Sequence, residues 1–174
     1  KRSRDLGLHE VVQGREKLAG VDLESGEVLW SQVVHSFRGM NILTPLVIGD
    51  GIFTSSYQNK AWFYQVSKQD GYSVAEGWQN NAAGYMSTPM LIDGHIYLHL
   101  QNQRFTCIDA KTGQRTWTST PFGKYCSLVA QGNRILALDQ RGELLLINAN
   151  PKAFELVDRH KLSDEETWAH LAIC

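Results

Sequence analysis

An all-β fold built from repeated four-stranded antiparallel units is what this sequence predicts, and two observations carry the prediction. Helical periodicity is nearly absent. What recurs is alternation of apolar and polar residues over about five to eight positions, bounded by Gly, Asp and Asn. The second observation is a repeated motif. Gly20-Val-Asp-Leu-Glu-Ser-Gly-Glu-Val-Leu-Trp30 and Cys107-Ile-Asp-Ala-Lys-Thr-Gly-Gln-Arg-Thr-Trp117 share the pattern D-x-x-[ST]-G-x-x-x-W at identical spacing. Each copy reads as a strand, a tight turn and a second strand ending in Trp. Gly26 and Gly113 suit turn positions with φ > 0, and Asp22 and Asp109 can hold the turn through their side chains.

Taken in order, residues 15–31 supply the last two strands of one unit. Thr44-Pro-Leu-Val-Ile-Gly-Asp-Gly-Ile-Phe53 opens the first complete unit, 43–80, which continues through strands near 61–67 and 72–79 and ends near Trp78. Thr88-Pro-Met-Leu-Ile-Asp-Gly-His-Ile-Tyr97 opens the second, 86–120, with strands near 104–110 and 114–119. Ser127-Leu-Val-Ala-Gln-Gly-Asn-Arg-Ile-Leu136 opens the third, 124–161, with strands near 143–149 and 153–160 and Leu156 in place of the Trp. Residues 167–174 read as the first strand of a further unit. Four strands in about 40 residues is the period of a β-propeller blade. Three full blades plus partial ones do not close a ring of four to eight blades, so an incomplete ring is expected. A blade must cover both faces of its sheet, and the repeated Trp offers a large apolar surface with an N–H donor for that contact.

Composition narrows the function classes. The 174 residues are 43% hydrophobic, ordinary for a globular protein, with 17 basic and 18 acidic residues and a net charge of −1. Beyond the opening Lys1-Arg2-Ser3-Arg4 there is no basic run, so no nucleic-acid footprint is indicated. No apolar stretch approaches the roughly 18 residues of a membrane helix. The first residue is not Met and the opening does not resemble a signal peptide. The chain is therefore expected to begin after processing or to be part of something longer, with the rest of the propeller in the parent chain. Cys107, Cys126 and Cys174 have no metal-ligand spacing and read as small strand residues.

The motif and the blade layout together resemble the quinoprotein-type, PQQ-like β-propeller family, whose blades carry A-x-D-x-x-T-G-x-x-x-W. Asp22, Ser25, Gly26 and Trp30 match it, as do Asp109, Thr112, Gly113 and Trp117; Gly20 and Cys107 replace the leading Ala. The copy ending at Trp78 keeps Gly71 and Trp78 with altered spacing, and the copy at Ile147–Leu156 is degenerate. The family includes quinone-dependent alcohol dehydrogenases, which bind pyrroloquinoline quinone and calcium. It also includes the propeller lipoprotein of the outer-membrane β-barrel assembly machine, a scaffold without cofactor. The resemblance implies a periplasmic or extracellular location.

No adjacent Cys pair and no acidic cluster of the dehydrogenase kind occurs, so no catalytic residue and no metal ligand is assigned. The loops between blades, and those joining the second and third strands, are expected to share one face and to carry function. From them we select Arg38, Asn41, Tyr85, Arg104, Lys124 and His170 as candidate ligand-binding residues, since guanidinium, ammonium and amide groups grip oxyanions and hydroxyls. The leading functional expectation is a non-enzymatic scaffold or binding platform with protein partners. The alternatives are a pyrroloquinoline-quinone-dependent oxidoreductase with its site mainly outside this segment, and a small-ligand sensor.

Overall fold

The computed structural model describes residues 9–168 and 170–172. These residues form β-sheets and a single 3-10 turn, Phe37–Gly39, so the all-β expectation holds. The contacts gather into two compact units, 1–84 and 85–174, where the sequence reads as one continuous segment.

The first unit holds two antiparallel sheets. One contains β1 (His9–Gln13), β2 (Lys17–Asp22) and β3 (Val28–Val33); the other contains β4 (Leu46–Ile48), β5 (Gly51–Ser55), β6 (Ala61–Lys68) and β7 (Tyr72–Asn80). The segment read as two strands over 15–31 therefore belongs to a three-stranded sheet. The short run at His9–Gln13 acquires its place by pairing with β2, from His9 opposite Asp22 to Gln13 opposite Leu18. Leu18, Trp30, Ile52, Trp62, Tyr64 and Val66 form the buried core of this unit.

The second unit holds β8 (Met90–Ile92), β9 (His95–His99), β10 (Arg104–Asp109) and β11 (Arg115–Pro121) in one sheet. Its other sheet holds β12 (Cys126–Gln131), β13 (Arg134–Asp139), β14 (Glu143–Asn148) and β15 (Glu155–Lys161). In every four-stranded sheet the strands lie in sequence order, as expected of a meander of short hairpins. The turn between β8 and β9 shows why the links are so tight. Asp93 (φ 46) and Gly94 (φ 73) are both left-handed, which matches the twist of a two-residue hairpin. Phe105, Phe122, Cys126, Ile135 and Leu145 are among the buried residues that fill this unit. Residues 167, 168 and 170–172, where a further first strand is expected, form no strand; Ile173 and Cys174 lie outside the described residues, as do Lys1 to Arg4.

The motif hairpins fold as their residue types require. The Asp22 carboxylate accepts from the backbone N–H groups of Glu24 (3.0 Å) and Ser25 (2.8 Å), and Gly26 (φ 75) returns its N–H to the Asp22 carbonyl. Asp109 repeats this with Lys111 (2.9 Å), Thr112 (2.8 Å) and Gly113 (φ 73). These bonds hold both carboxyls below the usual range, the Ser25 and Thr112 N–H groups acting most strongly.

A β-bulge then fixes the Trp. Gly20 pairs with Trp30, Phe63 with Trp78 and Cys107 with Trp117, and in each case the register shifts immediately after the first-named residue. In the fourth sheet the shift falls between Leu146 and Ile147, so Asp158 stands opposite Leu146 while Leu156 pairs with Ile147. The position of the repeat Trp is thus held by Asp158, not by Leu156. The reason is the hairpin loop: residues 149–154 occupy the place of the shorter 110–113, and the extra length carries Leu156 out of phase.

Candidate functional site

In the first unit three connections meet at one end of the strands. They are the β1–β2 turn at 14–16, the β5–β6 turn at 56–60 and the long β3–β4 connection that contains the 3-10 turn. Side chains tie them together. Asn41 donates to the carbonyls of Arg15 (2.9 Å) and Val34 (2.8 Å), while Ser56 (2.9 Å) and Asn59 (2.8 Å) donate to the carbonyl of His35. The Phe37 N–H reaches the Tyr57 carbonyl at 3.3 Å. Asn41, selected above as a ligand-binding residue, is therefore a brace between loops through its amide N–H groups.

Arg38 is exposed, as a ligand-binding residue must be, and sits at φ 54. Its guanidinium carbon lies 5.0 Å from the Phe37 ring centroid, and the Arg15 guanidinium donates to the Arg38 carbonyl at 3.4 Å. Phe37 is 42% exposed, with the Tyr57 ring 6.3 Å away. Arg15, Phe37 and Tyr57 escaped the sequence reading. The turn carrying Arg15 is visible only once β1 is recognised, and aromatic residues next to a strand look like core residues in a linear sequence.

The second unit gathers its connections in the same way. Phe122 N–H donates to the Gln103 carbonyl (2.7 Å), Gln140 N–H to that of Tyr125 (2.8 Å) and Thr167 N–H to that of Gln140 (2.9 Å). Asp139, fully buried, accepts from the N–H groups of Gly123 (2.9 Å), Arg141 (2.9 Å) and Glu143 (3.1 Å). One carboxylate thereby fastens the β11–β12 connection to the β13–β14 turn. Tyr85, Tyr125 and Trp168 come together as a row of rings, with centroids 5.6 Å and 3.9 Å apart. Tyr125 and Trp168 border a small open cleft with Met86, Ser127, Leu138 and His170. Two of the selected residues, Tyr85 and His170, thus lie at or beside this cleft. Lys124 is exposed, and its backbone N–H is held by the Gln140 side chain. Arg104 has a structural task instead: its guanidinium donates to the Ser119 carbonyl at 2.6 Å across its own hairpin.

Burial governs the shifted titratable groups inside the second unit. His99 is buried against the Phe105 ring, and burial pushes its pKa down to about 4, only partly opposed by the Asp139 carboxylate. Burial likewise raises the thiols of Cys107 and Cys126 above the ordinary range, so both stay protonated at neutral pH, as small strand residues do. Among the described residues no three His, Cys, Asp or Glu side chains converge, and the Asp22 and Asp109 carboxylates are folded into their own hairpins.

Solved structures resemble this fold. BamB of Moraxella catarrhalis superposes with a TM-score of 0.64 at 15% identity, over 88% of this chain and 46% of its own. Sqt1 of Saccharomyces cerevisiae gives 0.68 at 16% identity, over 90% and 48%. A europium-containing methanol dehydrogenase gives 0.52 at 16% identity, over 66% and 23%. The chain thus spans about half the length of the first two and less of the third. No curated protein matches it by sequence. At these identities the likeness establishes the β-propeller fold and nothing finer. A family model does reach further: the PQQ-type repeat model described as outer membrane protein assembly factor BamB matches residues 7–119. With its four-stranded repeats, bulged Trp hairpins and that match over most of its length, the chain belongs to the BamB-like PQQ-repeat propeller family.

Proposed function

We propose that this chain is a non-enzymatic binding platform for protein partners, working in the periplasm or at the cell exterior. The observation that carries the reading is the character of the loops. They are braced to one another by backbone and amide hydrogen bonds, and what they turn to solvent is aromatic and cationic rather than acid–base machinery. Phe37 is 42% and Trp168 53% exposed, on connections whose other groups are fixed. Rigid loops with exposed aromatic residues suit protein recognition, because little side-chain entropy is lost when they are covered. Membership of a family described as outer-membrane assembly factors supports both the role and the location. No helix among the described residues is long and apolar enough to cross a membrane, which leaves β-barrel association untouched.

The test places a photo-crosslinking phenylalanine analogue at Phe37, at Trp168 and, as a control, at the strand position Val157 in cells that make the protein. Defined protein adducts from the two loop positions and none from Val157 are expected. Adducts absent from both loops would overturn the reading. So would stoichiometric uptake of pyrroloquinoline quinone with calcium, accompanied by dye-linked alcohol oxidation.

A further inference from the structure

We infer that the loop end of the first unit formed by Arg15, Phe37, Arg38 and Tyr57 recognises an acidic, aromatic-containing peptide segment; this deepens the platform reading and rests on it. Two guanidinium groups are brought together from adjoining connections, Arg15 from the β1–β2 turn and Arg38 from the 3-10 turn. Arg15 is anchored by its hydrogen bond to the Arg38 carbonyl, and it fills the space left by Gly39, where a Cβ would come within 2.8 Å of its Nε. Arg38 is held over the Phe37 ring. Neither forms an ion pair among the described residues, whereas Arg159 and Lys161 of the second unit bond to Glu143 and Asp164. A guanidinium carries five donors, so most of those on the pair remain directed at solvent. Planar forks of this kind match carboxylates in two-point contacts.

The backbone adds to this. Arg38 occupies a left-handed conformation that glycine would adopt at lower cost, in a loop fastened by Asn41, Ser56 and Asn59. That conformation carries a guanidinium, with the half-exposed Phe37 ring beneath it and Tyr57 beside it. Charge for a carboxylate and an aromatic surface for an apolar neighbour are therefore presented together. A nucleic acid fits less well, because Glu16 adjoins Arg15 and the whole chain carries a net charge of −1, giving no extended positive field for a phosphate backbone.

The experiment measures fluorescence anisotropy with a fluorescein-labelled peptide of alternating glutamate and phenylalanine. The comparison probes are the lysine–phenylalanine analogue, a glutamate–serine analogue and an oligonucleotide of equal charge. Saturable binding of the first peptide is expected, weakened by salt and at least about tenfold by the R15Q/R38Q double variant, with the K152Q control, an exposed lysine of the β14–β15 loop, unchanged. Arg38→Gly guards against a folding artefact: it suits φ 54, so the melting temperature should hold or rise while binding falls. Equal binding by wild type and R15Q/R38Q, no saturable binding of the acidic peptide, or tighter binding of the oligonucleotide would each overturn the inference. Loop crosslinks retained at Trp168 in that event would show that the platform reading survives without this patch.

Discussion

The joints inside the two units are made by the same hairpin and work differently. In the first, Trp30 lies directly over Gly20, so that a Cβ at that residue would come within 2.1 Å of the indole Nε1. The ring is 6% exposed and packs with Ile52, Tyr64 and Val66 of the adjoining sheet. In the second, Cys107 occupies the equivalent place and is fully buried. Trp117 projects further, is half-buried, and donates its N–H to the Asn150 carbonyl of the adjoining sheet at 2.8 Å, with Phe154 edge-on at 5.6 Å. The bulge places the indole; the residue across the strand decides whether it lies flat on the backbone or reaches a carbonyl. One motif therefore yields an apolar joint and a hydrogen-bonded one.

The most damaging way to break this comparison is Trp117→Ala. Loss of its packing and of the Asn150 bond should cost about 3–5 kcal/mol in a denaturant titration, the range for large aromatic truncations. A loss below about 1 kcal/mol would show that the second joint does not depend on the indole.

Acid should then separate the two units. His99 belongs to the second, where burial lowers its folded-state pKa to about 4 against 6.5 for the free side chain. The unfolded chain therefore binds the proton more readily. The stabilisation is complete above pH 6.5 and is lost as the pH falls from there through about 4, on the order of 3 kcal/mol. Hydrogen exchange should show β9, β10 and β13 losing protection over this window, with His99→Phe abolishing the selective loss. Equal loosening of β2, β3 and β6 in the wild type would contradict the assignment.

The smallest effect sharpens the contrast at the paired position. Gly20→Ala should cost about 1–3 kcal/mol, because the added methyl overlaps the Trp30 ring in a packed joint. A neutral outcome in thermal melts would mean that the indole moves aside readily, and the flat packing of the first joint would lose its explanation.

Much of this molecule was readable because its signals are short-range. Asp109, Thr112 and Gly113 close their hairpin with groups only a few residues apart, and the alternating runs place most strands to within a residue or two. The candidate loops were harder. Tyr85, Lys124, His170 and Arg38 lie on exposed or partly exposed connections as expected, but Asn41 and Arg104 serve the scaffold. Their partners are backbone carbonyls at Arg15, Val34 and Ser119, which no spacing rule brings to mind.

By itself, the sequence determined the class of fold, the repeat, and the turns that punctuate it, since φ preferences and side-chain-to-backbone bonds act within a few residues. Tertiary structure decided what depends on length and on distant pairing. It drew His9–Gln13 into a sheet, set Asp158 rather than Leu156 opposite Leu146, and joined Arg15 to Arg38 across the β3–β4 connection. Register in a sheet follows the sum of loop lengths and cross-strand contacts, so one longer hairpin reassigns every residue beyond it.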